Sequence, residues 1–67
     1  MILYDRFWRT LKEKGISQYQ LVNQYHVSKG LLDRLRKNEV ITTYSIERLC
    51  EILDCQPENI MEYKKEV

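Results

Sequence analysis

The segment from Ser17 to Lys37 constrains the fold of this 67-residue chain more than any other part of it. It contains two runs with apolar residues at helical spacing, and a serine stands directly before each run. A serine hydroxyl in that place accepts a hydrogen bond from one of the unpaired N–H groups that open a helix. Only Tyr25, His26 and Val27 lie between the runs, too few for anything but a sharp reversal. The segment therefore predicts two short helices joined by a tight turn, a helix-turn-helix.

The second helix of the pair, over about residues 28–37, has two different faces. Leu32 and Leu35 share a side that we expect to be buried, with Leu31 at its edge. The opposite side carries Lys29, Gly30, Asp33, Arg34 and Lys37. This outward face is the part of the chain that we expect to carry function.

A first helix is predicted over residues 5–14, ahead of the pair. Large apolar residues recur there at spacings of three and four, so they share one side of the helix. We expect Phe7 and Trp8 to lie in the core. Gly15 follows the last periodic residue and is expected to end the helix as a left-handed cap.

Two more helices are predicted after the pair, the second of them short. Thr42 or Thr43 is expected to cap the fourth helix. Pro57 fits the first turn of the fifth, where its missing N–H removes no hydrogen bond. The tail at 64–67 is expected to be frayed. The outer side of the fourth helix is expected to hold Glu47, Arg48 and Glu51.

The fold class follows from this pattern. No period-two alternation typical of a β-strand persists anywhere in the chain. A chain of this length forms one domain. We expect an all-α domain over residues 1–67, made of five helices, with the central helix-turn-helix at about 17–37.

Composition argues against several classes of protein. No apolar run reaches the ~18 residues that indicate a membrane span, and the first residues lack the charge pattern of a signal peptide, so we expect a cytoplasmic location. Cys50, Cys55 and His26 lack the short paired spacing of a metal site. His26 has no adjacent serine or cysteine to activate. We expect no metal, no cofactor, no small-molecule effector and no enzymatic activity.

The formal net charge of +1 conceals an uneven distribution. Residues 1–38 hold eight basic and three acidic side chains, whereas residues 39–67 hold three basic and seven acidic ones. Such asymmetry is typical of a chain that turns one face towards a polyanion and the other away from it. Two merely solvated helix faces would produce it as well, so charge alone leaves both interpretations open.

The outward face at 28–37 suits the major groove of DNA, which admits one α-helix with its N-terminal end towards the bases. We expect Arg34 to make a bidentate guanine contact and Lys29 to reach a guanine or a phosphate. Asp33 accepts from a cytosine amino group or orients one of those two side chains. Gly30 either permits close approach of the backbone to DNA or is a neutral surface position. The predicted base contacts are Lys29, Gly30, Asp33 and Arg34.

Phosphate contacts are predicted at both ends of the helix pair. Gln18 opens the first helix, where backbone N–H groups and an amide side chain bind a phosphate. The remaining predicted phosphate contacts are Ser28, Lys37 and Asn38.

Arg36 follows the core residue Leu35, and we interpret it as an ion-pair residue that points back towards the first helix of the chain.

A set of residues spread over nearly the whole chain carries a family resemblance. These residues are Leu11, Gly15, Ile16, Ser17, Gln18, Leu21, Val22, Val27, Ser28, Leu32 and Leu35, followed by Ile46, Leu49, Cys50, Leu53, Asp54, Cys55, Pro57, Glu58, Asn59 and Ile60. In this pattern the chain resembles the lambda-repressor-like helix-turn-helix family (Cro/cI or XRE type), especially its small stand-alone bacterial and phage members. The pair Ser17-Gln18 matches the family's usual Thr or Ser followed by Gln.

The resemblance implies a five-helix DNA-binding domain of a transcriptional regulator. It further implies a homodimer on a palindromic operator in double-stranded DNA, and we expect a repressor. It also implies a phosphate contact at Gln18 and base reading at Lys29, Gly30, Asp33 and Arg34.

Three positions depart from the family pattern. His26 stands where the family commonly has a turn glycine, so a positive φ is expected at this histidine. Leu11 and Arg36 stand where members often carry a paired Arg and Glu. Gly30 supplies no side chain where a base-reading Gln is common.

A different class of function is also open from the sequence. The acidic second half of the chain would serve a protein-interaction module, such as an antitoxin or a phage adaptor, that binds its partner through helices four and five. Its contact patch, or equally a dimer interface or the rest of the core, would be supplied by the apolar residues Met1, Ile2, Leu3, Tyr44 and Tyr63.

Overall fold

The computed structural model describes residues 1–66, so the last position of the predicted domain and of the predicted tail, Val67, lies outside the described residues. In chain order, the α-helices and strands are β1 (Ile2–Leu3), α1 (Asp5–Lys14), α2 (Gln18–Asn23), α3 (Lys29–Arg36), α4 (Thr43–Leu53) and β2 (Glu62–Tyr63). A 3₁₀ turn over Pro57–Asn59 connects α4 to β2.

The two helices of the central pair begin at the predicted serines. The Ser17 hydroxyl accepts a hydrogen bond from the Gln20 backbone N–H at 3.1 Å, and Gln20 Oε1 accepts one from the Ser17 N–H at 2.9 Å. This reciprocal arrangement is a capping box. The Ser28 hydroxyl accepts from the Leu31 N–H at 3.1 Å and so caps α3. Both serine caps are confirmed.

The other predicted caps also lie where the sequence indicates. Helix α1 covers the predicted range and ends at Gly15, whose φ of +69° lies in the left-handed region that glycine adopts without strain. Of the two candidate threonines, Thr42 is the cap of α4, because its hydroxyl accepts from the Ser45 N–H at 3.1 Å.

The turn between α2 and α3 contains the predicted left-handed residue. His26 has a φ of +59°, and the N–H of the next residue, Val27, donates back to the Leu21 carbonyl at 2.8 Å. Arg48 lies on α4, where we expected it on the outer side, but it is half-buried and its Nη2 donates to the Tyr25 carbonyl at 3.1 Å. The turn is therefore held both by its own backbone and by a side chain from α4.

The prediction of a fifth helix is wrong, because the described residues form four α-helices. Only three residues, Pro57–Asn59, follow the helical path after α4, and they make one 3₁₀ turn. The turn closes with the Ile60 N–H donating to the Pro57 carbonyl at 2.9 Å, and Ile60 is fully buried. Pro57 does stand in the first turn, as expected, but the segment is too short to continue as an α-helix.

The all-α expectation also missed a two-stranded antiparallel ribbon. In the ribbon Ile2 pairs with Tyr63 and Leu3 with Glu62. Strands of two residues are too short for alternation to be visible in the sequence. The ribbon continues into the expected frayed tail, since the Lys64 N–H donates to the Met1 carbonyl at 2.8 Å. Lys64 is therefore tied down, contrary to expectation.

The core is one cluster of side chains from all four helices and the segments between them. Phe7 is fully buried, as predicted, whereas Trp8 is only half-buried and packs its ring edge-on to Phe7 with 4.8 Å between centroids. Trp8 therefore lies at the margin of the core rather than within it. The buried apolar residues are Tyr4, Phe7, Leu11, Leu21, Val27, Leu32, Leu35, Ile46, Leu49, Leu53 and Ile60.

The residues after α4 are attached to α1 by polar contacts. The buried Thr10 hydroxyl donates to the Asn59 carbonyl at 2.7 Å. Arg6 donates to the Glu58 carbonyl and pairs with the Glu62 carboxylate, both at 3.1 Å. These contacts fix the 3₁₀ turn and β2 against α1.

The two cysteines are free thiols that lie side by side. Helix α4 ends before Cys55, and Asp54 has a φ of +49°, so the chain turns back and the Cys55 N–H donates to the Cys50 carbonyl at 3.1 Å. Burial raises the pKa of both thiols. A raised pKa leaves less of the reactive thiolate at neutral pH.

A histidine in the left-handed region is strained, and replacing it with glycine tests this. We expect His26→Gly to raise the free energy of unfolding by about 1 kcal/mol, because glycine has no Cβ to crowd the carbonyl oxygen. Urea unfolding followed by the fluorescence of Trp8 measures the change. His26→Ala, which keeps the Cβ, is the control and should gain nothing. Equal stability of the two variants would contradict the prediction.

Candidate nucleic-acid interface

Helix α3 turns one side into the core and the other into solvent, as predicted. Leu32 and Leu35 are 3% and 1% exposed, and Leu31 is half-buried at the edge. Because an α-helix repeats every 3.6 residues, burying these leucines turns the polar positions outward. The exposed residues of this face are Lys29, Gly30, Asp33, Arg34 and Lys37.

Gly30 lies in open space on this face. A Cβ built on Gly30 would meet only the Ser28 hydroxyl oxygen, at 4.0 Å, which is ordinary van der Waals distance. No atom of the free protein therefore requires glycine here. Both interpretations of this glycine, close approach to DNA and a neutral surface position, are compatible with the open space.

Asp33 is paired with the end of its own helix. Its carboxylate lies 3.0 Å from Lys37 Nζ and 3.9 Å from Arg36 Nη1. We expected Asp33 to orient Arg34 or Lys29, but in the structure its partners are Lys37 and Arg36. The hydrogen bond and charge of Asp33, with a further contribution from Glu39, raise the pKa of Lys37 above its ordinary value.

Each of the four predicted phosphate contacts already makes a hydrogen bond or an ion pair within the protein, and the partners differ. Gln18 accepts a hydrogen bond from Arg36, and the Ser28 hydroxyl caps α3. Lys37 is the lysine paired with Asp33. Asn38 has a φ of +54°, and its Oδ1 accepts from the Tyr4 N–H at 3.0 Å. Asn38 therefore has a structural role that the sequence analysis missed.

The structure brings the start of α2 and one side of α3 together around a groove. The groove has a volume of about 560 Å³ and includes Gln18, Lys29 and Arg36 among its lining residues. Two residues of α2 that the sequence analysis passed over, Tyr19 and Asn23, also line it, and Tyr19 is 74% exposed. The position of Tyr19 directly after Gln18, at the opening of the helix, was the available signal.

Arg36 points towards α1, as the sequence analysis proposed. Its guanidinium carbon lies 5.5 Å from the centre of the Trp8 ring, within the range of a cation–π contact. Its ion pair with Asp33, however, lies within α3 and not with α1. The contacts with Trp8 and Gln18 were not foreseen.

Neither a metal site nor a membrane-spanning helix is found among the described residues. No three histidine, cysteine, aspartate or glutamate side chains within residues 1–66 are grouped as metal ligands. None of the four helices has the length and the apolar character needed to cross a membrane.

Comparisons with known proteins agree with this geometry. Residues 6–66 match the family model of the Cro/C1-type HTH DNA-binding domain. The fold is similar to the crystal structure of the transcriptional regulator VanUg, with a TM-score of 0.85 and 28% sequence identity over 97% of this chain and 87% of that one. No curated protein matches the chain.

The pairing of Lys37 with Asp33 makes a prediction about titration. Asp33→Asn should lower the pKa of Lys37, because it removes the charge and the carboxylate acceptor that favour the protonated ammonium. Glu39→Gln is the matched control and should lower that pKa less, since Glu39 acts through charge alone. A pH titration of the Lys37 side-chain NMR resonances measures both changes. A larger effect from Glu39→Gln would contradict the assignment.

Proposed function

The chain belongs to the Cro/C1-type helix-turn-helix DNA-binding family, and we propose that it is a sequence-specific transcriptional regulator that inserts α3 into the major groove. The observation that carries the proposal is the solvent-facing side of α3, on which Lys29, Gly30 and Arg34 stand exposed opposite the buried leucines. Family membership supports DNA binding in general, and this face supports α3 as the part that meets the bases.

The proposed contacts divide into two kinds. Lys29 and Arg34 reach base edges, where a good bidentate pair contributes ~1–3 kcal/mol of discrimination. Gln18, Ser28, Lys37 and Asn38 face the phosphates on either side and set the register of the helix in the groove. Asp33 lies on the same exposed face and would repel phosphate, so we propose that it favours a cytosine amino group or keeps Lys37 in place.

We further propose that the regulator is a repressor that binds as a homodimer to a palindromic operator. A single unit of this size contacts few base pairs, and two half-sites related by two-fold symmetry multiply its affinity. Random-oligonucleotide selection would give a palindromic site, and sedimentation of the complex would give two chains per duplex. A non-palindromic site bound by one chain would contradict the dimer.

Salt dependence and two matched substitutions test the DNA contacts. On the selected duplex, log K should fall with log salt with a slope near −0.9 for each phosphate neutralised. Arg34→Ala should relax the preference at one base pair by ~1–3 kcal/mol, whereas Lys37→Ala should weaken all sequences alike and reduce the slope by about 1. Fluorescence anisotropy on matched and mismatched duplexes measures both. A flat salt response, or no binding at low salt, would remove the proposal.

A protein-interaction module is the second candidate, favoured by a groove lined by α4 and the segment that follows it. The groove, of about 640 Å³, has Ile46, Met61 and Pro57 among its apolar lining residues, with Glu47 and Glu51 beside them. Such a surface fits a partner segment with apolar and basic side chains. A double variant, Glu47→Lys with Glu51→Lys, should abolish capture of such a partner and leave DNA affinity within about twofold. Unchanged capture would exclude this groove as the docking surface.

A further inference from the structure

Arg36 bends back across the helix pair instead of extending outward from α3. Its guanidinium lies over the Trp8 ring, and its Nη2 donates a hydrogen bond to Oε1 of Gln18 at the start of α2. Its Nη1 lies 3.9 Å from Asp33, one turn earlier on α3. Its donors are thus directed at groups of this chain.

Trp8 gives this arginine a firm support. The indole ring is half-buried and packs edge-on to Phe7, at an interplanar angle of 74°. Phe7 is fully buried in the core. A cation–π contact with a packed aromatic ring restricts the orientations that a guanidinium and its donors can adopt. A continuous series of contacts therefore joins the core, through Arg36, to the first residue of α2.

The hydrogen bond from Arg36 fixes the orientation of the exposed Gln18 side-chain amide. A glutamine side chain free to sample its rotamers loses that freedom when it binds a ligand, which reduces affinity. In this structure the amide oxygen of Gln18 is already held by Arg36. The NH₂ group, with its two donors, is then at the other end of the amide, and a phosphate oxygen needs such a donor.

We propose that Arg36 is a positioning residue for DNA binding: in cation–π contact with Trp8, it holds the Gln18 amide with its NH₂ group towards the phosphate backbone. The inference rests on the proposed function, because it assigns the group that orders one of the phosphate contacts. Arg36 acts through Gln18 and neutralises no phosphate itself.

A double-mutant cycle on the selected duplex tests this role. We expect Arg36→Ala and Gln18→Ala each to weaken binding roughly three- to tenfold at fixed salt, and the double variant to bind no more weakly than Gln18→Ala. The slope of log K against log salt should be the same in Arg36→Ala as in the wild type. Arg9→Ala is the charge-matched control, because Arg9 is exposed on α1 beside Glu13 and Glu58, and should leave affinity within about twofold.

Two results would overturn the proposal. A salt slope reduced by about 0.9 in Arg36→Ala would mean that Arg36 neutralises a phosphate directly. A loss of affinity from Arg36→Ala that persists in the Gln18→Ala background would mean that Arg36 does not act through Gln18. Thermal unfolding of each variant ensures that all are compared in the folded state.

A measurement without DNA separates this proposal from the proposed function. In the free protein, ¹⁵N relaxation of the Gln18 side-chain amide should show greater mobility in Arg36→Ala than in the wild type. The Asn23 amide, which donates to the Tyr19 carbonyl at 3.0 Å, is the internal reference and should not change. Unchanged mobility of Gln18 would overturn the positioning role. Absence of specific DNA binding by the wild type would overturn the proposed function, whichever result the relaxation gives.

Discussion

Burial of Leu32 and Leu35 is the interaction on which the rest of this small structure depends. These side chains join the same core cluster as Leu21 from α2 and Leu49 from α4, so they fix the rotation of α3 about its axis. This packing determines which face of α3 is exposed to solvent. The positions that remain exposed are therefore decided by packing, and the candidate interface follows directly from the core.

The parts of the fold that were predictable from sequence are those decided within a few residues. The serine at each start of the central pair, Gly15 after α1 and the left-handed His26 all act on backbone groups within a turn of themselves. Periodicity likewise gave the buried side of α3, because a helix repeats its face over a short stretch. Helix caps and buried helix faces can therefore be predicted from neighbouring residues in the sequence.

The parts that could not be predicted join residues far apart in the chain. Arg48 reaches Tyr25 across 23 positions, and Asn38 reaches Tyr4 across 34. The sequence shows that Arg36 is basic and follows a core leucine, but not that an indole from α1 lies beneath it. The ribbon between Met1 and Lys64 is a similar case, since strands of two residues leave no periodic pattern.

The candidate interface likewise has features that the sequence predicts and features that it does not. Its exposed residues could be predicted, because they are what the leucines of α3 leave outside. Their states in the free protein could not, because Lys37 is held by Asp33, and Gln18 is held by Arg36. A sequence pattern identifies which side chains face solvent, whereas the hydrogen bonds that orient them depend on tertiary placement.

The empty surroundings of Gly30 have a consequence for how the exposed face of α3 can vary. A Cβ at this position would lie 4.0 Å from the Ser28 hydroxyl oxygen and would displace nothing in the folded chain. Helix propensity also favours most replacements of glycine, by up to about 1 kcal/mol. A single substitution at position 30 can therefore change the exposed surface of α3 while the packing of the folded chain stays intact.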